Sequence, residues 1–249
     1  MGVVVRLPDF LGLGTQKGGT TYLHGLLGQH PQVQLANPKE LQFFSLHWSR
    51  GVAWYGSHFD AVAPGQCCGE VTPYYLFHPL VPQRIQGLMP QVKLIVLLRD
   101  PVDRALSQYF HSRRLGLEPL ALADALAAES SRLADAQLVL EQDGPHRSHQ
   151  QHSYVSRSRY EQQLQPYQAL FADEQLLLLR SELLFAQPQL IWQQVLLFLG
   201  LDDVALPASA PRYGGAGEAE QVPDALRGQL KVELAATYRW LEKEDLGLT

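Results

Sequence analysis

Four short apolar runs alternate with helical segments along this chain of 249 residues, and few folds accommodate such a pattern. The runs cover residues 10–14, 67–71, 93–98 and 175–179, lengths that suit strands buried on both faces. Helices are predicted over residues 20–28, 79–89, 102–114, 160–171 and 188–199. Strand followed by helix in this order predicts an α/β fold with a central parallel sheet flanked by helices in three layers.

The composition fits a globular protein. Hydrophobic residues make up 46% of the chain, and the 16 prolines and 20 glycines are spread along it, so residues 1–249 are expected to form one domain. The net charge of −5 lacks the basic excess of a nucleic-acid-binding protein. No apolar run approaches the ~18 residues of a membrane span. We expect a cytoplasmic protein without nucleic-acid partner or stable membrane insertion, and the oligomeric state stays open.

A glycine-rich segment joins the first predicted strand to the helix that follows. It reads Gly-Thr-Gln-Lys-Gly-Gly-Thr-Thr over residues 14–21. Glycines let consecutive backbone N–H groups converge on one anion, and a helix N-terminus adds partial positive charge. Gly14 and Gly19 keep the spacing of the nucleoside-triphosphate loop, but Thr20 replaces its lysine and Lys17 lies inside the loop. The segment predicts a P-loop-like anion site and leaves open which anion binds there.

A second anion site is predicted after the strand over residues 93–98. Arg99 follows that strand directly, and Ser107 lies two turns into the next predicted helix. Ligands of parallel sheets bind beyond the carboxyl ends of the strands, where a guanidinium and a hydroxyl can bind a phosphate. Two anion sites at two strand ends suit a nucleotide that is phosphorylated at both ends of its ribose.

Together these segments resemble the sulfotransferases that use 3′-phosphoadenosine 5′-phosphosulfate (PAPS). Residues 16–21 are similar to their 5′-phosphosulfate loop, and Arg99 with Ser107 is similar to their 3′-phosphate motif. Residues 39–44 and 51–55 resemble the Glu-x-x-Phe-Phe and Gly-x-x-Trp-Tyr segments of the heparan sulfate branch, and residues 70–75 resemble its Glu-x-[TS]-x-x-Tyr segment. The resemblance implies a PAPS-dependent sulfotransferase that releases PAP, needs no metal, and acts on a glycan or a small molecule.

The resemblance also implies residue roles. Lys17 would stabilise the charge that develops on the leaving phosphate, and Glu40 would remove the acceptor's proton, with His111 as the reserve candidate for that base. The implied nucleotide-binding residues are Gln16, Lys17, Gly18, Gly19, Thr20, Thr21, Arg99, Ser107 and Arg159. The implied acceptor-lining residues are Lys39, Glu70, Thr72 and Tyr74. Residues 211–215 resemble the family's late basic lid only weakly.

Two other functions stay open at this point. A P-loop nucleotide phosphotransferase of the kinase type would turn over ATP with magnesium, although Thr20 replaces the lysine of such loops. A non-catalytic nucleotide-binding module would bind PAPS and never consume an acceptor. Elsewhere, polar residues 142–153 predict an exposed loop, and residues 221–246 predict a closing helix with a break at Gly228.

Overall fold

The computed structural model describes residues 5–208 and 221–246. Its sheet contains the strands β1 Phe10–Gly14, β2 Val33–Leu35, β3 Cys67–Val71, β4 Lys93–Leu98 and β5 Leu176–Arg180. Every pairing is parallel, and the strand order is β2-β3-β1-β4-β5. The predicted parallel sheet is confirmed. The sequence pattern does not predict β2, because its three residues bury only Val33 and form no apolar run.

Twelve α-helices lie in the described residues. They are α1 Thr20–Leu27, α2 Gly51–Gly56, α3 Val81–Leu88, α4 Pro101–Arg114, α5 Leu122–Arg132, α6 Ala136–Glu141, α7 Arg147–Gln151, α8 Tyr160–Leu170, α9 Ser181–Ala186, α10 Pro188–Leu199, α11 Asp224–Glu233 and α12 Ala235–Lys243. None of these helices is long and apolar enough to cross a bilayer.

The described chain divides into two compact units. The first comprises residues 5–98 and 167–208 and contains the whole sheet. The second comprises residues 99–166 and 221–246, with helices α4 to α7 and α11 to α12. The single domain over residues 1–249 stays a prediction. Residues 211–215, which weakly resemble a basic lid, lie outside the described residues.

The core of the first unit is built around strand β1. This strand lies between β3 and β4, and each of its residues is buried. Helices α1 and α10 cover it with apolar side chains, among which the indole of Trp192 is fully buried beside Leu26 and Val195. Burying a large side chain of this kind contributes about 1.5–3 kcal/mol. Strand β1 is therefore held at the centre of the sheet by neighbours on both sides.

A buried arginine organises the second unit. Helix α4 begins at Pro101, and the guanidinium of Arg104 one turn later is fully buried. It donates to the hydroxyl of Ser158 at 2.6 Å, to Oε1 of Gln108 at 2.8 Å, and to the carbonyl of Tyr154. Burial lowers the pKa of Arg104 to about 10. These bonds tie the start of α4 to residues 154–158, just before Arg159.

Two predictions for the second unit are wrong. The polar segment predicted as an exposed loop contains α7, and His149 and His152 are buried there. Burial is possible because neighbouring side chains bind the segment's backbone: Ser153 donates to the carbonyl of His149 at 2.7 Å. The closing helix runs through Gly228 and breaks at Leu234, whose side chain is fully buried in the apolar core of this unit.

Candidate active site

The glycine-rich loop over residues 14–21 is fixed by backbone hydrogen bonds within the first unit. The N–H of Thr15 donates to the carbonyl of Leu97 on β4 at 2.6 Å, and the N–H of Gly18 donates to the carbonyl of Thr15 at 3.0 Å. The hydroxyl of Ser181, at the start of α9, donates to the carbonyl of Gly18. The loop is therefore anchored to β4 and α9 before any ligand binds.

The loop's backbone is tightly wound. Lys17 and Gly19 have φ angles of 71° and 92°, both in the left-handed region that non-glycine residues rarely adopt. Gly18 has no room for a side chain, because a Cβ there would lie 2.6 Å from Oγ1 of Thr15 and 2.9 Å from the carbonyl oxygen of Leu97. This winding is typical of loops whose amides face an anion.

The resemblance implies that this loop binds PAP, so Gly18→Ala is expected to weaken PAP binding by about 10-fold or more, because the added methyl group would displace the loop from the backbone of β4. Isothermal titration calorimetry measures the effect. Gly87→Ala is the matched control, since a Cβ at Gly87 of α3 meets no atom within 4 Å. Equal losses in both variants, or none in either, would contradict the expectation.

The loop also contains an unsatisfied hydroxyl. Thr15 is 3% exposed, and its Oγ1 has no hydrogen-bond partner in the described part of the chain. Leaving a buried polar group unpaired costs about 1–3 kcal/mol. An oxygen of a bound phosphate would satisfy this hydroxyl, so the loop fits an anion. The sequence motif did not single out Thr15, because its importance follows from burial rather than from spacing.

The predicted base lies next to this loop. The ammonium Nζ of Lys39 donates to Oγ1 of Thr21 at 3.3 Å and to Oε1 of Glu40 at 2.8 Å. Glu40 is exposed, and its φ of 63° lies in the left-handed region. Thr21 is the last residue of the glycine-rich loop and also belongs to the first turn of α1. The structure thus brings together three residues that the sequence assigned to different roles.

Glu70 anchors the segment that carries Glu40, the predicted base. The buried carboxylate accepts hydrogen bonds from the hydroxyls of Tyr55 at 2.7 Å, Tyr75 at 2.8 Å and Thr72 at 2.9 Å, and from the N–H of Leu41 at 3.3 Å. Burial raises the pKa of Glu70, and these four donors act in the opposite direction. The backbone at Leu41, immediately after Glu40, is therefore tied to β3.

The two aromatic motifs of the sequence pack on each other. Phe43 stacks on Tyr55 with ring centroids 4.3 Å apart, and Phe44 meets Tyr75 edge-on at 5.5 Å. Ring pairs of this kind add about 0.5–1.5 kcal/mol each to the burial of their area. These ring contacts, together with the hydrogen bonds to Glu70, hold in place the backbone segment that carries the exposed Glu40. Thr72 and Tyr74 are buried, and their role in lining an acceptor site stays a prediction.

One residue of this group was missed by sequence reasoning. His24 lies on α1 one turn after Thr21, and its Nε2 is buried without a hydrogen-bond partner among the described residues. Burial lowers the pKa of His24, the charge of Lys39 lowers it further, and the charge of Glu40 raises it. His24 therefore lies within electrostatic reach of both residues. The only sequence signal was its spacing of three from Thr21.

The remaining predicted site residues belong to the second unit. The hydroxyl of Tyr160 donates to the carbonyl of Arg99 at 3.0 Å. Ser107 and His111 lie four residues apart on one face of α4. The guanidinium of Arg159 pairs with the carboxylate of Glu233 at 3.0 Å. The nucleotide-binding roles of Arg99, Ser107 and Arg159, and the role of His111 as reserve base, stay predictions. In the described ranges, no three His, Cys, Asp or Glu residues form a metal-binding group.

A parallel sheet with a glycine-rich loop after its central strand defines a P-loop-like α/β protein. The family model for the sulfotransferase domain matches residues 7–206, and the chain belongs to the sulfotransferase family. The human bifunctional heparan sulfate N-deacetylase/N-sulfotransferase 2 is 33% identical over 204 residues, which cover 79% of this chain and 22% of the human protein. The chain spans 22% to 30% of the length of its curated relatives.

Solved structures agree with this family and confirm the fold class. A sulfotransferase from Alicyclobacillus acidocaldarius superposes with a TM-score of 0.80 at 27% identity, over 98% of both chains. Mouse sulfotransferase SULT7A1, whose crystal structure is a complex with PAP, superposes with a TM-score of 0.53 at 16% identity, over 80% of this chain and 61% of the mouse chain. The second likeness shows the fold alone.

Proposed function

We propose that this protein transfers a sulfuryl group from PAPS to a hydroxyl or amine of an acceptor. The observation that carries the proposal is the single ammonium of Lys39, which binds both the hydroxyl of Thr21 beside the anion loop and the carboxylate of Glu40. This contact supports a proton-accepting role for Glu40 beside the proposed phosphate site.

The donor would be held at its two phosphate ends. The N–H of Gly19, with Thr20 and Thr21, would bind the 5′-phosphosulfate, and the unsatisfied hydroxyl of Thr15 supports this placement. The N–H of Gly18, predicted to share this role, instead donates to the carbonyl of Thr15. Gln16 lies in the same loop. Arg99 and Ser107 would bind the 3′-phosphate, a role that rests on their resemblance to the family motif. Membership of the sulfotransferase family supports PAPS as the donor for this chain.

PAPS, when bound, supplies an SO₃ group on a phosphate leaving group. Lys17 stabilises the negative charge that develops on that phosphate, and Glu40 accepts the proton that the acceptor loses. A migrating sulfuryl group carries less negative charge than a phosphoryl group. One lysine and several backbone amides are therefore sufficient, and we propose that the reaction needs no metal.

We propose a glycan as the acceptor. The heparan sulfate N-deacetylase/N-sulfotransferase relative supports a sugar. The position of Glu40 also supports a glycan. Its side chain is 41% exposed, so a bulky oligosaccharide can reach it without entering an enclosed pocket. A small-molecule acceptor is the second candidate, and an acceptor screen separates the two.

A thermal-shift comparison of PAPS, PAP and ATP tests the proposed donor. At ligand concentrations near 100 times Kd, PAPS and PAP are expected to raise Tm by about 5–10 °C, and ATP by less. Transfer of labelled sulfate from PAPS to heparan-derived oligosaccharides, and to a small phenol in parallel, then tests catalysis and acceptor class.

Two results would contradict the proposed function. Magnesium-dependent turnover of ATP, with no response to PAP, would make the protein a phosphotransferase. Stabilisation by PAP without transfer to any acceptor would leave a binding module.

A further inference from the structure

We propose that Lys39 is a positioning residue for the transfer reaction: its ammonium fixes the distance between the proton-accepting carboxylate and the donor loop. This inference rests on the proposed function and assigns Lys39 a role other than lining the acceptor site. The geometry behind it is the pair of hydrogen bonds from one nitrogen, 3.3 Å to Oγ1 of Thr21 and 2.8 Å to Oε1 of Glu40.

Glu40 needs such a partner because its side chain is exposed. A carboxylate that is 41% exposed samples several rotamers unless another group restrains it. The backbone around Glu40 is already fixed, since its φ lies in the left-handed region and the N–H of Leu41 donates to the buried Glu70. Only the side chain is left to be oriented, and Lys39, whose side chain is 21% exposed, is the group that binds it.

Lys39 is expected to be dispensable for folding. Its ion pair with Glu40 is partly exposed, and such pairs add about 0–1 kcal/mol to stability. Lys39→Met is therefore expected to fold, with a Tm within about 4 °C of the wild type. A loss of rate in this variant then reports on the reaction. Lys243→Met, an exposed lysine in the last turn of α12, is the matched control.

His24 provides a readout that does not depend on activity. The charged groups acting on it are the ammonium of Lys39 and the carboxylate of Glu40. The ammonium opposes protonation of the imidazole, so Lys39→Met is expected to raise the pKa of His24. The carboxylate favours protonation, so Glu40→Gln is expected to lower the pKa of His24. The two shifts have opposite signs and are measured by NMR titration, with the His24 signal assigned by its loss in His24→Gln.

The kinetic test compares Lys39→Met and Lys39→Arg with the wild type, using labelled PAPS and the acceptor found in the screen. Lys39→Met is expected to lower kcat by about 10- to 100-fold, the cost of a misplaced reacting group. Lys39→Arg is expected to recover most of the rate, since it restores the positive charge.

The outcomes separate this inference from the proposed function. A wild-type protein that transfers no sulfate overturns the proposed function. If the wild type is active, an unchanged kcat in Lys39→Met overturns the positioning role alone. A lower kcat without movement of the His24 titration would overturn it as well, because Lys39 would then act as an acceptor contact.

Discussion

Glu40→Gln is expected to lower kcat by about 10² to 10⁴, the usual contribution of a general base. Glutamine keeps the size of the side chain and can still accept from the ammonium of Lys39, but it cannot take up a proton. The loss should therefore appear in kcat at saturating acceptor, with PAP affinity preserved. Steady-state kinetics with labelled PAPS and titration calorimetry with PAP measure the two quantities.

Two further variants provide a matched control and a test of the alternative base. Glu141→Gln neutralises an exposed carboxylate that accepts from the side chain of Gln137 on its own helix, and it should leave kcat unchanged. His111→Ala, measured separately, tests the reserve candidate. A Glu40→Gln enzyme with full rate, together with a slow His111→Ala enzyme, would transfer the role of base to His111.

Lys17→Ala is expected to lower kcat by about 10² to 10³, as for the loss of one preorganised donor to a developing negative charge. The left-handed φ of 71° fixes this residue inside the loop, whereas related nucleotide loops carry their lysine on the following helix. Because the loop amides remain, PAP should still bind. Single-turnover kinetics separate the chemical step from donor binding.

The result that would exclude Lys17 from the chemistry is a normal rate at saturating PAPS with a raised KM for the donor. Lys17 would then contribute to binding only. Lys243→Ala serves as the control for removing a lysine. In that variant, both kcat and the KM for PAPS should stay at the wild-type values, because Lys243 is an exposed residue in the last turn of α12.

Sequence reasoning predicted the buried parts of the sheet well. Strands β1, β3 and β4 match their predicted bounds, and β5 is displaced by one residue, because continuous apolar runs are an unambiguous local signal. Strand β2 was not predictable, since its three residues are ordered by pairing with β3 rather than by their own composition. The break at Leu234 was also not predictable, because core packing determined it and the exposed Gly228 did not.

The candidate site likewise contains residues that the sequence predicts and residues whose roles depend on the folded structure. The residues of the loop were predicted from their order along the chain, which encodes the turn and the following helix. The roles of Thr15 and His24 depend on which atoms are buried without partners, and spacing carries no such information. The role proposed for Lys39 depends on a contact with Thr21, 18 positions earlier, that only the folded chain creates.

The central place of β1 in the strand order has an evolutionary consequence. Its neighbours on both sides fix the point from which the donor loop departs, whereas β2 and β5 form the sheet's periphery. Substitutions and insertions at the amino ends of these two edge strands, opposite the loop, can accumulate without moving it. A lineage built on this plan can therefore acquire new acceptors while keeping one donor, and distant members diverge in sequence long before they diverge in architecture.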